Sequence, residues 1–93
     1  MKVAIRAYAT LREITGASET ALILSPGETV KGLLDNLCKT HPRLRAQLFD
    51  VAGQVKPYIL ILKNGRNIMS LQQLDTVIGD GDVIALFPPV AGG

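Results

Sequence analysis

One segment near the middle of the chain constrains the fold more than any other, because its apolar residues repeat with the period of a helix. After Thr29, apolar side chains occupy positions i, i+3, i+4, i+7 and i+8, which are Val30, Leu33, Leu34, Leu37 and Cys38. This spacing places them on one face of an α-helix. Thr29 can cap the helix, and Pro42 stops it. The pattern therefore predicts an amphipathic helix that runs to about Thr40 and buries one face.

Strand-like segments lie on both sides of this helix. Val3–Tyr8 alternates in polarity, and Glu19–Leu24 is a second strand; the stretch Ala9–Gly16 between them breaks the alternation and fits a loop with a helical turn. After the helix come Tyr58–Lys63 and Val83–Phe87. Because Tyr58–Lys63 is apolar on both faces, it is predicted to be a central, buried strand.

The remaining segments are shorter. They are predicted to be a second short helix at Arg43–Phe49, a loop at Asp50–Pro57, a two-residue turn at Asn64-Gly65, a return strand at Arg66–Met69, a helical turn at Leu71–Leu74 and a tight turn at Gly79–Asp82.

The order of these elements predicts the fold class. Two strands, a crossover helix and further strands give an α+β roll in which the first and last strands lie parallel at the sheet centre. This is the β-grasp, or ubiquitin-like, architecture, with a mixed sheet of four to five strands packed on one main helix. We expect residues 1–87 to form the domain and residues 88–93 to form an extended tail.

The tail has the composition of a segment that leaves the fold to enter another protein. Pro88 and Pro89 offer no N–H group to a sheet, so they form a stiff, extended spacer. Val90 and Ala91 follow, and then Gly92 and Gly93, which fit a narrow channel because they have no side chains. From Phe87 to Gly93 the chain spans at most roughly 20 Å. We expect the Gly93 carboxylate to reach a partner's active site.

The last strand has two unlike sides. Ile84 and Leu86 share one face, and Val83, Ala85 and Phe87 share the other. If the helix covers the first face, Phe87 points outward beside Tyr8 and Arg6 on the neighbouring strand, which predicts a partner-binding surface unless a loop covers it. Arg12 is a candidate to pair with a partner carboxylate. Lys63 and Arg66 are candidates to lie on the rim of the same partner-binding surface.

Composition disfavours several other classes of protein. A net charge of +2 without a run of Lys or Arg disfavours nucleic acid as the main partner, and the apolar runs are too short to span a membrane. One cysteine permits no internal disulfide and fits a reducing compartment, so we expect a cytoplasmic protein. His41 has no second ligand at metal-binding spacing, and no set of catalytic side chains is evident.

Several motifs together resemble the small subunit of molybdopterin synthase, the MoaD family. The resemblance is carried by the ending from Gly81-Asp82 through Phe87-Pro88-Pro89 to Gly92-Gly93, and by Leu11-Arg12-Glu13, Thr29-Val30 with Leu33-Leu34, and Asn64-Gly65. It implies a non-catalytic sulfur carrier whose Gly93 is adenylated by a ubiquitin-activating-enzyme-like adenylyltransferase. ATP is consumed by that partner, and no cofactor is bound by the carrier. The resulting thiocarboxylate would donate sulfur to cyclic pyranopterin monophosphate in the large subunit, which Phe87 would contact.

Other acceptors fit the same tail. The carrier could serve thiamine thiazole synthesis or tRNA thiolation, or be conjugated to lysines as a small protein modifier. The Asp50–Pro57 loop and the Asn64–Ile68 stretch are less typical of the shorter bacterial subunits and leave the modifier open. A plain interaction module without tail chemistry is the third class.

Overall fold

A five-stranded mixed sheet organises the computed structural model, which describes residues 1–89. Its strands are β1 (Lys2–Ala7), β2 (Glu19–Ile23), β3 (Leu60–Lys63), β4 (Arg66–Asn67) and β5 (Val83–Phe87). Three α-helices, α1 (Ala9–Thr15), α2 (Val30–Thr40) and α3 (Arg43–Leu48), and two 3₁₀ helices, Ile68–Ser70 and Gln73–Asp75, complete the elements of these residues.

The strand order is β2-β1-β5-β3-β4. β1 and β5 run parallel in register, with Ile5 beside Ile84, and the other neighbours pair antiparallel. The predicted β-grasp fold is thereby confirmed, including the parallel pair of first and last strands at the centre. Within residues 1–89 no helix is both long and apolar enough to cross a membrane.

The core lies on one side of the sheet, where the predicted stripe of α2 is buried. Leu33, Leu34 and Leu37 have at most 1% exposure and share a cluster with Ile84 and Leu86. Thr29 caps α2 as predicted, since its side chain accepts a hydrogen bond from the Gly32 N–H at 3.3 Å. Cys38 lies in this core, and burial raises the pKa of its thiol.

Two local predictions are wrong. β3 is not buried on both faces: Ile59 and Ile61 are buried, whereas Tyr58 and Leu60 are 53% and 38% exposed. The predicted return strand Arg66–Met69 stops at Asn67, because the Asn67 side chain accepts a hydrogen bond from the Met69 N–H at 2.9 Å and begins a 3₁₀ helix. The edge next to β3 is therefore very short.

Candidate functional site

Two aromatic rings meet where β5 ends. Phe87, the last residue of β5, stacks on Tyr8, with ring centroids 4.3 Å apart and ring planes inclined by 7°. Leu60 lies beside Phe87 on the other side, since the two are partners in the β3–β5 register. Tyr8, Leu60 and Phe87 therefore form one apolar surface, called the exit face below, at the place where the chain leaves the sheet.

Backbone geometry fixes Tyr8 in this position. Its N–H donates to the carbonyl of Leu86 at 3.2 Å, which continues the β1–β5 pairing by one residue. Tyr8 itself is extended and caps α1, and the chain turns at once into that helix through Ala9, whose φ is +52°. That conformation costs a non-glycine residue about 1 kcal/mol. The strain at Ala9 is thus stored next to the Tyr8 ring.

The exit face is open to solvent in the part of the chain that the structure describes. Tyr8 is 39% exposed, Leu60 is 38% exposed and Phe87 is half-buried, so no loop among residues 1–89 covers the surface. The placement of Phe87 beside Tyr8 follows the predicted strand parity. Sequence reasoning missed Leu60 and its exposed neighbour Tyr58, although both stand at alternate positions of one predicted strand.

Charged side chains border the exit face unevenly. Arg6 projects from β1 and pairs with Glu19 at 3.0 Å; the hydrogen bond to Glu19 raises the pKa of Arg6. Arg12 is exposed one helical turn after Tyr8, and its N–H lies 3.4 Å from the Tyr8 carbonyl. Lys63 instead donates to the Val77 carbonyl at 2.9 Å. Arg6 is thus paired with Glu19 and Lys63 is held by the fold, whereas Arg12 and Arg66 are exposed and their roles at the exit face stay predictions.

A polar turn secures the start of β5. The Asp82 carboxylate accepts hydrogen bonds from the Gly79 N–H at 2.7 Å and from the Asn64 side chain at 2.9 Å, and Lys63 lies 3.6 Å away. Burial raises the pKa of Asp82, but these hydrogen bonds and the Lys63 charge outweigh it and hold the pKa below its usual range. Asp80 likewise accepts from the Lys2 N–H at 2.8 Å. These carboxylates build the turn, as the sequence predicts.

The tail begins on the exit face. Pro88 is half-buried and Pro89 is exposed, and both follow β5 outside any strand. The predicted reactive and channel-entering residues Val90, Ala91, Gly92 and Gly93 lie outside the described residues, so their roles stay predictions. Among residues 1–89, no group of three or more His, Cys, Asp or Glu side chains is placed to hold a metal ion.

Comparison with known proteins adds a family and several relatives. The model of the ThiS family matches residues 5–93. The chain is 37% identical over 93 residues to small archaeal modifier protein 3 of Haloferax volcanii, covering 100% of both chains. It is 34% identical over 86 residues to small archaeal modifier protein 1 of the same organism, covering 92% of this chain and 94% of that protein. A molybdopterin synthase sulfur carrier subunit of Mycobacterium tuberculosis is 37% identical over 67 residues, or 72% of this chain and 66% of its own length.

Solved structures show the same fold. The crystal structure of the modifier SAMP1 from Haloferax volcanii superposes with a TM-score of 0.90, at 31% identity and complete coverage of both chains. A structure of the BexX/CysO complex from Amycolatopsis orientalis gives a TM-score of 0.81 at 25% identity, over 98% of this chain and 99% of that chain.

Proposed function

Because the chain belongs to the ThiS family of ubiquitin-like sulfur carriers, we propose that it is a small protein modifier whose Gly93 carboxylate is the reactive group. The observation that carries this proposal is the full-length likeness to small archaeal modifier protein 3, which spans all 93 residues of this chain and all of that protein. A second modifier from the same organism matches over nearly the same length.

The proposed chemistry begins with activation of the terminus. A carboxylate is a poor electrophile, so a partner adenylates Gly93 with ATP and releases pyrophosphate. In modification, the ε-amine of a lysine on a target protein attacks the Gly93 carbonyl; an isopeptide bond forms and AMP leaves. In sulfur transfer, hydrosulfide attacks the Gly93 carbonyl instead; a carbon–sulfur bond forms, AMP leaves and a thiocarboxylate remains. Gly93 has no side chain to hinder either attack.

The described fold supports this chemistry by offering a place to dock. Tyr8 and Phe87 expose a flat aromatic pair next to the point where the chain leaves β5, and aromatic residues are enriched at the energetic centres of interfaces. Pro88 and Pro89 then direct the chain away from the sheet. We propose that the activating enzyme binds the exit face and receives the tail. CysO from Amycolatopsis orientalis, a protein of the same fold, has been solved in complex with BexX.

Sulfur carriage in molybdopterin synthesis is the second candidate. It is supported by the motifs at the chain's end and by the 37% identity to a molybdopterin synthase sulfur carrier subunit. That match covers 72% of this chain, whereas the modifier match covers all of it, so the modifier function is favoured over the molybdopterin function that the sequence motifs first suggested.

Intact mass and conjugate analysis test the proposal. Protein with a native terminus is incubated with its organism's adenylating enzyme, ATP and a cell extract. Isopeptide-linked Gly93 on lysines of several proteins is the expected result. A mass gain corresponding to exchange of one oxygen for sulfur, without conjugates, would instead support the carrier. The control is a variant lacking Gly92-Gly93, which should fold normally and show neither product. If the native protein also shows neither, Gly93 is not the reactive group.

A further inference from the structure

The strand β2 forms an open edge of the sheet. It pairs with β1 on one side only. Ser18 accepts from the Ala7 N–H, and Leu24 exchanges hydrogen bonds with Met1, so the backbone groups of these two residues point toward β1. Since backbone direction alternates along a strand, the N–H and C=O groups of Glu19, Ala21 and Ile23 point away from the sheet.

This edge lacks the usual protections against pairing. Natural edge strands are blunted by proline, by central charges, by bulges or by a covering element. The last three residues of β2, Ala21, Leu22 and Ile23, are apolar, and Ile23 is 74% exposed. Within residues 1–89 the outward groups of Glu19, Ala21 and Ile23 make no backbone hydrogen bond beyond the strand ladders. The edge is therefore a free template for another strand.

We propose that β2 pairs with β2 of a second copy of this chain, antiparallel and with the two-fold axis at Ala21. In this register Ala21 faces Ala21 of the second copy, and Glu19 faces Ile23. All three outward residues of each strand then form hydrogen-bonded pairs. Shifting the register by two residues would move one end of the pairing out of β2. The sheets of the two copies join into one.

Charge decides the direction of pairing. Glu19 neighbours Arg6 in its own sheet, and Ile23 neighbours Lys2. In the antiparallel register each Glu19 has its own Arg6 on one side and Ile23 of the second copy on the other, with Lys2 of that copy on the next strand. Each Glu19 therefore lies between two positively charged residues. Parallel pairing would set the two Glu19 side chains next to each other, which is unfavourable. The antiparallel arrangement is thus the complementary one.

The joint is small and leaves the exit face free. Five residues per strand bury far less than the ~800 Å² per partner of a standard interface, so the dimer is weak and forms at high concentration. β1 separates β2 from β5, and the exit face lies where β1 and β5 end, outside the β2 edge. The dimer would present two exit faces at once. The proposal does not depend on the chemistry proposed for Gly93.

Two measurements on the whole chain test this pairing. Sedimentation velocity from micromolar to millimolar concentration should show a monomer–dimer equilibrium. Over the same range, amide exchange of Glu19, Ala21 and Ile23 should slow with concentration, whereas Thr20 and Leu22, which pair with β1, should be protected throughout. A monomer at every concentration, or exchange of the three amides that does not change, would overturn the proposal.

Edge variants identify the surface. Ala21→Pro removes an outward N–H without removing a β1–β2 hydrogen bond, and should weaken association by about tenfold or more. Ala21→Thr keeps the N–H and should dimerise like the unaltered chain. If Ala21→Pro does not fold, Ile23→Glu, at an exposed position, should weaken association, because the new carboxylate would face Glu19 of the second copy. A dimer that survives unweakened in a folded Ala21→Pro or Ile23→Glu protein would show that another surface is used.

Discussion

The side chains on the two sides of β5 differ in burial and in role. On the side that faces α2, Ile84 and Leu86 are fully buried. On the other side, Val83, Ala85 and Phe87 are half-buried, and Phe87 shares an open surface with Tyr8. Burial of one aliphatic side chain stabilises a fold by about 1.5 to 3 kcal/mol. The covered side therefore holds the domain together, and the open side is left available for a partner.

The largest effect is expected on the covered side. Leu86→Ala should lower the free energy of unfolding by about 2 to 5 kcal/mol, because it leaves a cavity in the centre of the core. Urea denaturation measures the loss. Val83→Ala, on the open side of the same strand, is the matched control and should cost less than half as much. Equal losses would mean that the two sides do not differ in stability.

The second largest effect on stability is expected at Asp82, in the turn that precedes β5. Asp82→Asn removes a charged acceptor from the Gly79 N–H and should cost about 1 to 3 kcal/mol at neutral pH. Since folding lowers the pKa of Asp82, its stabilisation is present above the unfolded pKa of about 3.9 and is lost as pH falls through the lower folded value. The urea midpoints of variant and unaltered protein should therefore converge in acid.

The exposed Asp75 provides the comparison for this pH profile. Asp75→Asn should change stability by less than about 0.5 kcal/mol at either pH, as expected at a surface position. If the difference in urea midpoint between Asp82→Asn and the unaltered chain persists in acid, the carboxylate charge is not the cause of the stabilisation.

A smaller effect on the free energy of unfolding, a gain and not a loss, is expected at Ala9, next to the open side of β5. Ala9→Gly should raise stability by about 0.5 to 1 kcal/mol, because glycine tolerates the φ of +52°. Ala9→Val should lower it, since a branched side chain resists that conformation. Thermal unfolding of the three proteins gives the order. If Ala9→Gly is the least stable, the backbone at Ala9 is not strained.

Much of this division was predictable from sequence. Alternation along Val83–Phe87 separates Ile84 and Leu86 from Phe87, and the stripe of α2 identifies which side needs a cover. In contrast, Tyr58–Lys63 carries apolar residues on both faces of the strand. Periodicity alone does not tell which of two apolar faces is covered by helices and which is open to solvent. Tyr58 and Leu60 were therefore expected inside the core, and their exposure depends on where the helices pack.

The acceptor of the terminus was the least predictable feature. The Pro-Pro and Gly-Gly motifs describe how a carboxylate is presented, and that requirement is the same for sulfur transfer and for conjugation. The motifs at the chain's end therefore do not distinguish one acceptor from another. The motif-based expectation of molybdopterin synthesis therefore had to give way to full-length likeness to modifier proteins.

The most direct test measures stability and partner binding on one variant, Phe87→Ala. The affinity for the adenylating enzyme should fall at least about tenfold, because the aromatic pair with Tyr8 is lost from the exit face. The free energy of unfolding should fall by less than about 2 kcal/mol, since the ring is only half-buried. Met69→Ala, which removes a 67% exposed apolar side chain outside the sheet, should change neither. Unchanged affinity for Phe87→Ala, or a loss of stability equal to that of Leu86→Ala, would contradict the assignment of the open side to binding.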